Sequence, residues 1–525
     1  MGLTQHRITF QQKQTFIVPA GTRLDNAAAQ AGYALRTHCG GAGICGKCQV
    51  IANHQKVLAC QAIVESDLDI IIPDSSLRDN EQNVFVQTAS KSAVCRLPSA
   101  VSTGYGIALD IGTTTLAAEL HDFTGTLSMQ IASCANPQRQ FGDDIIARIQ
   151  KVMEDETALT AMQRMIVEAI NEMIAELIDK RGITSQDISV MVAAGNTVMQ
   201  SLLFGIDPSS LGVSPFHAPV NNFPPRQAGE IDLAMSGTVE AFPIFGGFVG
   251  GDIVAGMLAI KNSYPKSRGC SAAQSPDCLP SFFLDIGTNG EIVLAYRERL
   301  FTAATAAGPA FEGARIEHGT LAVPGAIEHV DYVDGKIVVS TIAGKPPIGI
   351  CGSGLIDAVA VLLDQEIILP SGRFADKASH FELVSAAASG IGEAIVLTQR
   401  DIRELQLASG AIKAGITLLL REHHLLPEEI ETFYVAGGFG QSIRLASARR
   451  IGLLPSIPSE RFQFCGNTSL AGARAMLLKP DNAEVVRQLI EQSQHCELAN
   501  LPQFQEVFAE SMRWDDTAEY QQNVL

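Results

Sequence analysis

Aromatic residues and positive charge are both scarce in this sequence. Phe, Trp and Tyr make up 6 % of its 525 residues, Trp514 is the single tryptophan, and the formal net charge is −18. Single-stranded nucleic acid is bound by stacking on aromatic side chains, and phosphate backbones are bound by clustered Lys and Arg. We therefore expect no nucleic-acid partner, and a protein that docks on this acidic chain would need a basic face.

A membrane-spanning run is also lacking. The longest apolar stretch without charge, residues 188–206, carries Gly195, Asn196 and Gln200 in its middle. In a membrane these polar groups would face lipid, so the stretch predicts a strand, a turn and a buried helix instead. The first ten residues have no apolar core of the kind found in a signal peptide. We expect a cytoplasmic protein with no membrane partner.

Cysteine is too sparse for a disulfide scaffold. The chain has eleven cysteines, an odd number, in 525 residues. Four of them crowd together: Cys39, Cys45, Cys48 and Cys60. The other seven are scattered, as expected of small buried apolar residues. The crowded four therefore indicate a special site.

These four cysteines follow the pattern C-x5-C-x2-C-x11-C. The iron of an iron–sulfur cluster needs thiolate ligands. Three cysteines within ten residues can converge on one cluster only if the backbone curls around it, and four glycines between positions 40 and 46 permit that curl. A structural zinc site is the alternative, but zinc sites usually show two C-x2-C pairs, and here there is one. The pattern favours a cluster.

The loop, together with Leu58-Ala59-Cys60-Gln61, resembles the signature of plant-type and adrenodoxin-type ferredoxins. The resemblance covers about residues 1–74. It implies a β-grasp fold, a 2Fe-2S cluster held by the four cysteines, and one-electron transfer. The interval before Cys60 is shorter than in plant-type ferredoxins, which indicates a trimmed insertion. The local pattern predicts strands at 7–10, 14–18, 47–52 and 68–72, and a helix at 24–31 with Thr22 as its N-cap.

An internal repeat marks the rest of the chain. The sequence LDIGT at residues 109–113 recurs 175 positions later at residues 284–288. Each copy ends one apolar strand and enters another, so the repeat predicts two similar α/β halves that face each other. We expect helices over 158–179 and 402–422 to flank the sheets. The predicted domains are a ferredoxin domain (1–74), a polar linker (75–103), a first half (104–280) and a second half (281–525).

Each repeat places a carboxylate, a glycine turn and hydrogen-bond donors at a strand end. N–H groups and hydroxyls in such a turn suit phosphate oxygens, and the carboxylate can hold hydrated Mg²⁺. The first copy supplies Asp110, Gly112, Thr113, Thr114 and Thr115; the second supplies Asp285, Gly287, Thr288 and Asn289. Taken singly, either motif could be an ordinary β-turn. Their duplication indicates a phosphate site.

A third element, Gly437-Gly438, follows an apolar strand. Adjacent glycines there allow close approach of a flat adenine and its ribose, although a tight turn would need the same residues. Neither a Walker A pattern nor a dinucleotide fingerprint is present. The chain is thus expected to bind nucleotide in another way.

The three elements, in this order, resemble the phosphate and adenosine motifs of the acetate and sugar kinase, chaperone and actin superfamily. The resemblance spans about residues 104–478. It implies ATP and Mg²⁺ in a cleft between two ribonuclease-H-like halves, with Asp110 and Asp285 on the metal side. The predicted fold class is therefore multidomain α/β: a β-grasp 2Fe-2S ferredoxin domain followed by an ATPase of the actin and sugar-kinase type.

Further blocks sharpen the resemblance to reductive activators of corrinoid proteins. They are Asn136-Pro137-Gln138, Gly142-x-Asp144, Gly195-Asn196-Thr197, Gly250-Gly251-Asp252, residues 307–313, residues 350–357 and Gly466-Asn467-Thr468-Ser469. This family implies ATP-dependent return of a Co(II) corrinoid to Co(I) in a methyltransferase system. It also implies a corrinoid protein as partner and a low-potential reductant upstream, and leaves a homodimer open. Larger members carry an additional domain where this chain has some thirty linker residues.

The residue that activates water is not fixed by the pattern. Asp144, Glu291 and Glu312 are candidates for orienting the attacking water, and each could equally be a capping or surface carboxylate. Cys351 is interpreted as lining of the cleft, and Thr305 as a residue that faces the corrinoid.

Three other functions fit parts of this pattern. The first is a redox-regulated actin-like scaffold, and the second is a small-molecule kinase with a fused ferredoxin. The third is a 2-hydroxyacyl-CoA dehydratase activator, which shares the ATPase fold. That class uses a 4Fe-4S cluster between two subunits and needs no ferredoxin loop, so the sequence disfavours it.

The first prediction concerns the metal. Protein purified without oxygen should contain about two irons per chain and give a rhombic electron-paramagnetic-resonance signal after one-electron reduction. Serine at Cys60 should remove the signal. Stoichiometric zinc without iron would contradict the assignment.

Overall fold

A computed structural model gives the architecture of the chain. It describes residues 5–11, 13–33, 35, 43, 46–73, 76–77, 104–123, 130–263, 279–438 and 442–515. The predicted linker falls largely outside the described residues, so the predicted domain boundaries stay predictions. Across the described ranges, no helix has the length and apolar character needed to span a membrane.

The N-terminal module is a five-stranded mixed sheet with one helix. Its strands are in the order β2-β1-β5-β3-β4, with β1 parallel to β5 and the other neighbours antiparallel. Alternating apolar residues such as Ile8 and Phe10 form its core with Leu24 of the helix. The elements are β1 (Gln5–Phe10), β2 (Gln14–Pro19), α1 (Leu24–Gln30), β3 (Gln49–Ala52), β4 (Gln55–Leu58) and β5 (Leu68–Ile71).

One local expectation for this module is wrong. Thr22 does not cap α1: the N-cap position belongs to Arg23, and no side chain caps the helix. The Thr22 hydroxyl instead donates to the carbonyl of Pro19 at 2.7 Å, which closes the preceding turn. The predicted hairpin, helix and closing strand are all present, and β4 is an additional strand.

The first half of the larger module has a six-stranded sheet in the order β10-β11-β9-β6-β7-β8. Residues 188–206 form a strand and a buried helix, as predicted. The elements are β6 (Tyr105–Ile111), β7 (Thr115–Asp122), β8 (Gln130–Ala135), α2 (Ile145–Glu154), α3 (Ala158–Arg181), β9 (Ile188–Gly195), α4 (Thr197–Leu203), β10 (Arg226–Gln227), β11 (Thr238–Ala241) and α5 (Gly251–Ser263).

The second half begins with the strands β12 (Ser281–Ile286), β13 (Gly290–Tyr296), β14 (Arg299–Thr305), β15 (Ala326–Val333), β16 (Lys336–Thr341) and β17 (Gly349–Ile350). It continues with α6 (Gly352–Asp364), β18 (His380–Val384), β19 (Ile395–Thr398), α7 (Gln399–Glu422), β20 (Thr432–Ala436) and α8 (Leu445–Arg450). It closes with β21 (Phe462–Gly466), α9 (Thr468–Leu478), α10 (Asn482–Gln492), β22 (Ser493–His495) and α11 (Phe504–Ser511).

The sequence repeat is also a repeat of topology. In the first half, β6, β7 and β8 form an antiparallel meander, and β9 and then β11 add in parallel beside β6. In the second half, β12, β13 and β14 form the same meander, and β20 and then β21 add beside β12. This matched order is the one expected of two ribonuclease-H-like halves. The α/β fold class predicted from the sequence is confirmed.

Two helices, α5 and α9, pack between the two sheets. One apolar cluster contains Ala108 and Val192 of the first sheet, Phe283 and Ala436 of the second, and Leu470 of α9. The helices approach closely because small residues lie where they cross. A Cβ on Gly472 would lie 2.0 Å from the carbonyl oxygen of Ala255. The halves are therefore joined by a tightly packed layer.

The lone tryptophan lies in the second half. Trp514 is 1 % exposed, and its indole N–H donates to the Ser409 hydroxyl at 3.4 Å. Its backbone N–H donates to the carbonyl of Pro370 at 2.9 Å. The chain after α11 is thereby attached to the core around α7.

The second prediction tests the packed layer. Gly472→Ala should destabilise the larger module by about 3 kcal/mol, because the methyl group collides with backbone and cannot be relieved by a side-chain rotation. We expect the thermal midpoint to fall by roughly 5 °C or more. Gly229→Ala is the control, since its Cβ would have no heavy atom within 4 Å. Equal midpoints for the two variants would contradict the packing.

Candidate functional site

Asp110, at the end of β6, is held by the opposite half of the module. Asn467 Nδ2 and Ser469 Oγ each donate to its carboxylate at 2.7 Å. Asn467 also caps α9, because its Oδ1 accepts from the Leu470 N–H at 2.8 Å. The first turn of α9 thus serves both as a helix start and as a clamp on the repeat carboxylate.

Three more carboxyl groups lie near Asp110: Glu291 is buried, and Asp252 and Asp285 are partly buried. Burial, with the charge of Asp110 added, raises the pKa of Asp252 to about 7. Burial and the charges of Asp252 and Asp110 raise the pKa of Asp285 to about 8. Burial and the charges of Asp252 and Asp285 also raise the pKa of Glu291. Burial raises the pKa of Asp110 itself, although the bonds from Ser469 and Asn467 oppose the shift.

This group fits a hydrated cation better than a protein-caged one. Among the described residues, no three His, Cys, Asp or Glu side chains converge as a ready-made metal site. Mg²⁺ commonly keeps several waters and uses one or two carboxylates together with phosphate oxygens. A divalent charge would also favour the ionised form of carboxyl groups whose pKa values are raised in its absence. The donor set therefore suits Mg²⁺ that arrives with a nucleotide.

The two turns that are predicted to bind phosphate are joined by one carboxylate. The hydroxyls of Thr114 and Thr288 donate to Glu312 at 2.5 Å and 2.8 Å respectively, one to each carboxylate oxygen. Thr114 belongs to the first half and Thr288 to the second. Glu312 therefore spans the cleft at the hydroxyls that were predicted to bind phosphate.

The first turn is braced from behind. Arg148, fully buried, donates to the Thr113 carbonyl at 2.6 Å, and Asn136 Nδ2 donates to the Gly112 carbonyl at 2.8 Å. Asn196 Nδ2 donates to the Thr113 hydroxyl at 3.0 Å. Thr115 begins β7, and a Cβ on Gly112 would lie 2.5 Å from its carbonyl oxygen, so the tight turn requires glycine.

The second turn and the glycine pair lie at the ends of neighbouring strands. Gly287 N–H donates to the Asn289 carbonyl at 3.0 Å. Gly437 has a φ of 107°, and a Cβ there would lie 2.4 Å from the Ile286 carbonyl oxygen and 3.1 Å from Asp285 Oδ1. Gly438 has open space beside it. Gly437 therefore packs against the end of β12, only Gly438 of the pair has open space beside it, and the adenosine position stays a prediction.

Asp144, the remaining carboxylate candidate, has a structural role as a helix cap. Asp144 caps α2, with its Oδ1 accepting from the Ala147 N–H at 2.7 Å, and it lies 3.6 Å from Arg315. The capping alternative is what the geometry supports, and a catalytic role for Asp144 stays a prediction. Thr305 is buried and donates to the Gly290 carbonyl at 3.0 Å, so it belongs to the sheet interior.

The cluster loop is described in part. Cys48 and Cys60 are both buried, whereas Cys39 and Cys45 lie outside the described residues. Gly43 and Gly46 have φ values of 76° and 71°, which is the left-handed backbone expected of a loop that curls. These features fit a cluster held by thiolates, and the four-cysteine ligand set stays a prediction.

Sequence reasoning did not assign roles to several residues of the cleft. Asp252, Asn467, Ser469 and Asn196 were noted only as parts of glycine-rich blocks. Each follows an apolar strand or begins a helix. A polar residue at such a junction indicates a possible site residue. What the sequence could not give is which of them turns toward Asp110.

Comparisons with known proteins match three parts of the chain. A model described as a 2Fe-2S iron–sulfur cluster binding domain matches residues 8–68. The RACo middle region matches residues 105–262, and the C-terminal domain of RACo, the ASKHA domain, matches residues 280–524. The matched ranges correspond to the N-terminal module and to the two halves of the larger module described above.

Individual relatives extend the match. The chain is 32 % identical over 432 residues to the corrinoid activation enzyme RamQ of Eubacterium limosum, covering 78 % of this chain and 70 % of that protein. It is 27 % identical over 423 residues to the Co(II) methylated amine-specific corrinoid protein reductase of Methanosarcina barkeri, covering 73 % and 71 %. A solved reductive activator for a corrinoid, iron–sulfur protein aligns with a TM-score of 0.70 at 30 % identity, over 97 % of this chain and 98 % of that one.

The fold and the sites define an iron–sulfur protein fused to an ATPase of the actin and sugar-kinase type. Within that class, the chain belongs to the family of reductive activators of corrinoid proteins.

The third prediction concerns pH. The pKa of Asp285 is about 8 in the folded chain and about 3.9 when unfolded, so the folded state binds this proton more tightly. Its contribution to stability therefore falls as pH rises from about 4 to 8, by about 1.4 kcal/mol per pH unit. Asp285→Asn should remove this loss, while abolishing hydrolysis of Mg-ATP.

Thermal midpoints at pH 6 and pH 8, in chelator and without nucleotide, check this prediction. The wild type should lose several degrees more than Asp285→Asn between the two pH values. Asp179→Asn, on the exposed side of α3, should behave as the wild type. An identical pH dependence in all three proteins would mean that the Asp285 carboxyl is not perturbed.

Proposed function

We propose that this protein is an ATP-dependent reductive activator. It transfers one electron from a 2Fe-2S cluster to the Co(II) corrinoid of a protein partner in a methyltransferase system, and so restores Co(I). The observation that carries the proposal is the presence, in one chain, of a ferredoxin-type cluster loop and a two-half nucleotide cleft. The corrinoid-directed activities of RamQ and of the methylated amine-specific reductase support the choice of substrate.

The cleft residues would hold Mg-ATP as follows. Asp110, Asp252 and Asp285 face the metal side, where their raised pKa values favour a cation. The hydroxyls of Thr114 and Thr288, now on Glu312, are the donors available to phosphate oxygens. When bound, Mg-ATP supplies binding and hydrolysis energy, and the cluster supplies single electrons.

The need for ATP follows from the substrate. Co(I) corrinoid is a very low-potential state, and a one-electron gap of roughly 300 mV corresponds to about 7 kcal/mol, or five decades in equilibrium constant. The proposal requires that the two halves adopt more than one relative arrangement, and a ligand can bias such an equilibrium only through different affinities for its states. Asp110 accepts hydrogen bonds from Asn467 and Ser469 of the other half. These bonds would change when the relative position of the halves changes.

Further features of the system belong to the proposal. The corrinoid protein would present a basic face to this acidic chain, and a low-potential reductant would recharge the cluster. A homodimer is compatible with the proposal but is not required by it. Glu291 and Glu312 stay candidates for orienting water, because buried Glu291 and partly buried Glu312 both lie beside the two predicted phosphate turns.

The fourth prediction uses the full-length protein with its cluster. A Co(II) corrinoid protein and a strong one-electron reductant are supplied, and formation of Co(I) is followed by absorbance. Mg-ATP should accelerate turnover. Asp110→Asn should lose at least about tenfold of that stimulation, since it removes the carboxylate on the metal side.

Two controls separate the modules. Asp179→Asn should match the wild type, and Cys60→Ser should hydrolyse ATP but deliver no electron. Reduction at the wild-type rate without ATP would contradict the proposal. ATP-dependent assembly without electron delivery would instead favour a scaffold, and phosphorylation of a small metabolite would favour a kinase.

A further inference from the structure

A short segment connects the phosphate turns to the cluster loop. We call residues 312–317 the relay segment. At its first residue, Glu312 accepts hydrogen bonds from Thr114 at 2.5 Å and from Thr288 at 2.8 Å. This end of the segment therefore contacts both halves of the nucleotide cleft, at the hydroxyls that are expected to bind phosphate.

The other end of the relay segment contacts the ferredoxin module. Lys47 Nζ donates to the carbonyl oxygens of Ile316 and Glu317, at 2.7 Å each. Lys47 is the residue immediately before Cys48, one of the predicted cluster ligands. The ammonium group of Lys47 thus makes charge-assisted hydrogen bonds to two carbonyl oxygens of the other module. The bonded residues are 269 and 270 positions apart in the sequence.

The relay segment is also fastened to the core of the second half. The Glu317 N–H donates to Asp401 Oδ1 at 2.8 Å, and Asp401 forms the capping box at the start of α7. Ile316 is fully buried. Arg315 lies 3.6 Å from Asp144 of the first half. The segment is thus held in one arrangement by contacts with all three parts of the chain.

The two ends of the relay segment are joined by a short, folded stretch of backbone. Gly313 and Arg315 have φ values of 74° and 64°, so the backbone is folded back rather than extended. A fully extended chain of five residues would span at most about 17 Å, and a folded one spans less. Only a few residues separate Glu312 from the carbonyls of Ile316 and Glu317. A displacement of Glu312 is therefore expected to move these carbonyls as well.

We propose that Lys47 is a positioning residue that couples the cluster loop to the state of the nucleotide site. The inference rests on the proposed function. Phosphate oxygens of ATP require the hydroxyls of Thr114 and Thr288, and their negative charge repels the Glu312 carboxylate. Glu312 then leaves the two threonines, the relay segment shifts, and its carbonyl pair withdraws from Lys47.

This coupling has a definite sign. The contact of Lys47 belongs to the arrangement in which Glu312 holds both threonine hydroxyls, so ATP that takes these hydroxyls must break it. Removing the ammonium group should therefore make ATP bind more tightly. A hydrogen bond to a charged group corresponds to roughly a tenfold change in an equilibrium constant. By linkage, ATP should in turn loosen the backbone around Lys47.

The fifth prediction compares Lys47→Met with Lys56→Met. Both substitutions remove one positive charge from the ferredoxin module, but Lys56 lies exposed on β4. The protein is full-length with its cluster, and the ligand is Mg-AMPPNP, an ATP analogue that is not hydrolysed. Calorimetry gives the Kd, and amide hydrogen exchange is followed over residues 46–52 and 312–320.

In the wild type and in Lys56→Met, the analogue should increase exchange over residues 46–52. In Lys47→Met this exchange should already be high without nucleotide and should not rise further, and the Kd should fall by about three- to tenfold. An unchanged Kd with wild-type exchange in Lys47→Met overturns the coupling. Failure of the wild type to bind the analogue overturns the proposed function instead.

A second variant approaches the same relay from its other end. Glu312→Gln lacks the carboxylate charge that phosphate is expected to expel. Its residues 46–52 should exchange faster than in the wild type before nucleotide is added. That effect has to travel through the relay segment, because position 312 does not belong to the ferredoxin module. Wild-type exchange at 46–52 in this variant, with altered exchange confined to 312–320, overturns the coupling.

Discussion

The partly buried carboxylate of Asp110 is the constraint on which the cleft depends. It ends a strand of the first half, yet its hydrogen bonds come from Asn467 and Ser469 at the start of α9 in the second half. The same helix crosses α5 where glycine permits backbone contact. A charge that is unfavourable to bury is thus solvated by the opposite half, and the relative position of the halves becomes a condition for its stability.

Much of the fold was readable because its signals are local or repeated. The LDIGT pair gave the two meanders and their order, and the cysteine loop gave the N-terminal module. Thr22 was misassigned because Ser and Thr close turns as readily as they cap helices, and sequence does not say which backbone group its hydroxyl will meet.

The site was predictable at the level of motifs but not of partners. Asp110, Thr114, Thr288 and Gly437 lie at the cleft where the repeat places them. Glu312 contacts both threonines, and Asp252 lies near Asp110. Both contacts join residues that are more than twenty positions apart in the sequence. Such contacts are set by tertiary packing, which spacing along one chain does not encode.

The lone tryptophan gives the molecule an internal optical label. Because Trp514 is the single indole of the sequence and its N–H donates to Ser409, all of the tryptophan emission originates from the second half. Its wavelength will follow hydration of that half, whatever the ferredoxin module does. Absorbance of the cluster reports on the opposite end of the chain. Recorded together on one sample, the two signals would resolve the order in which the modules come apart.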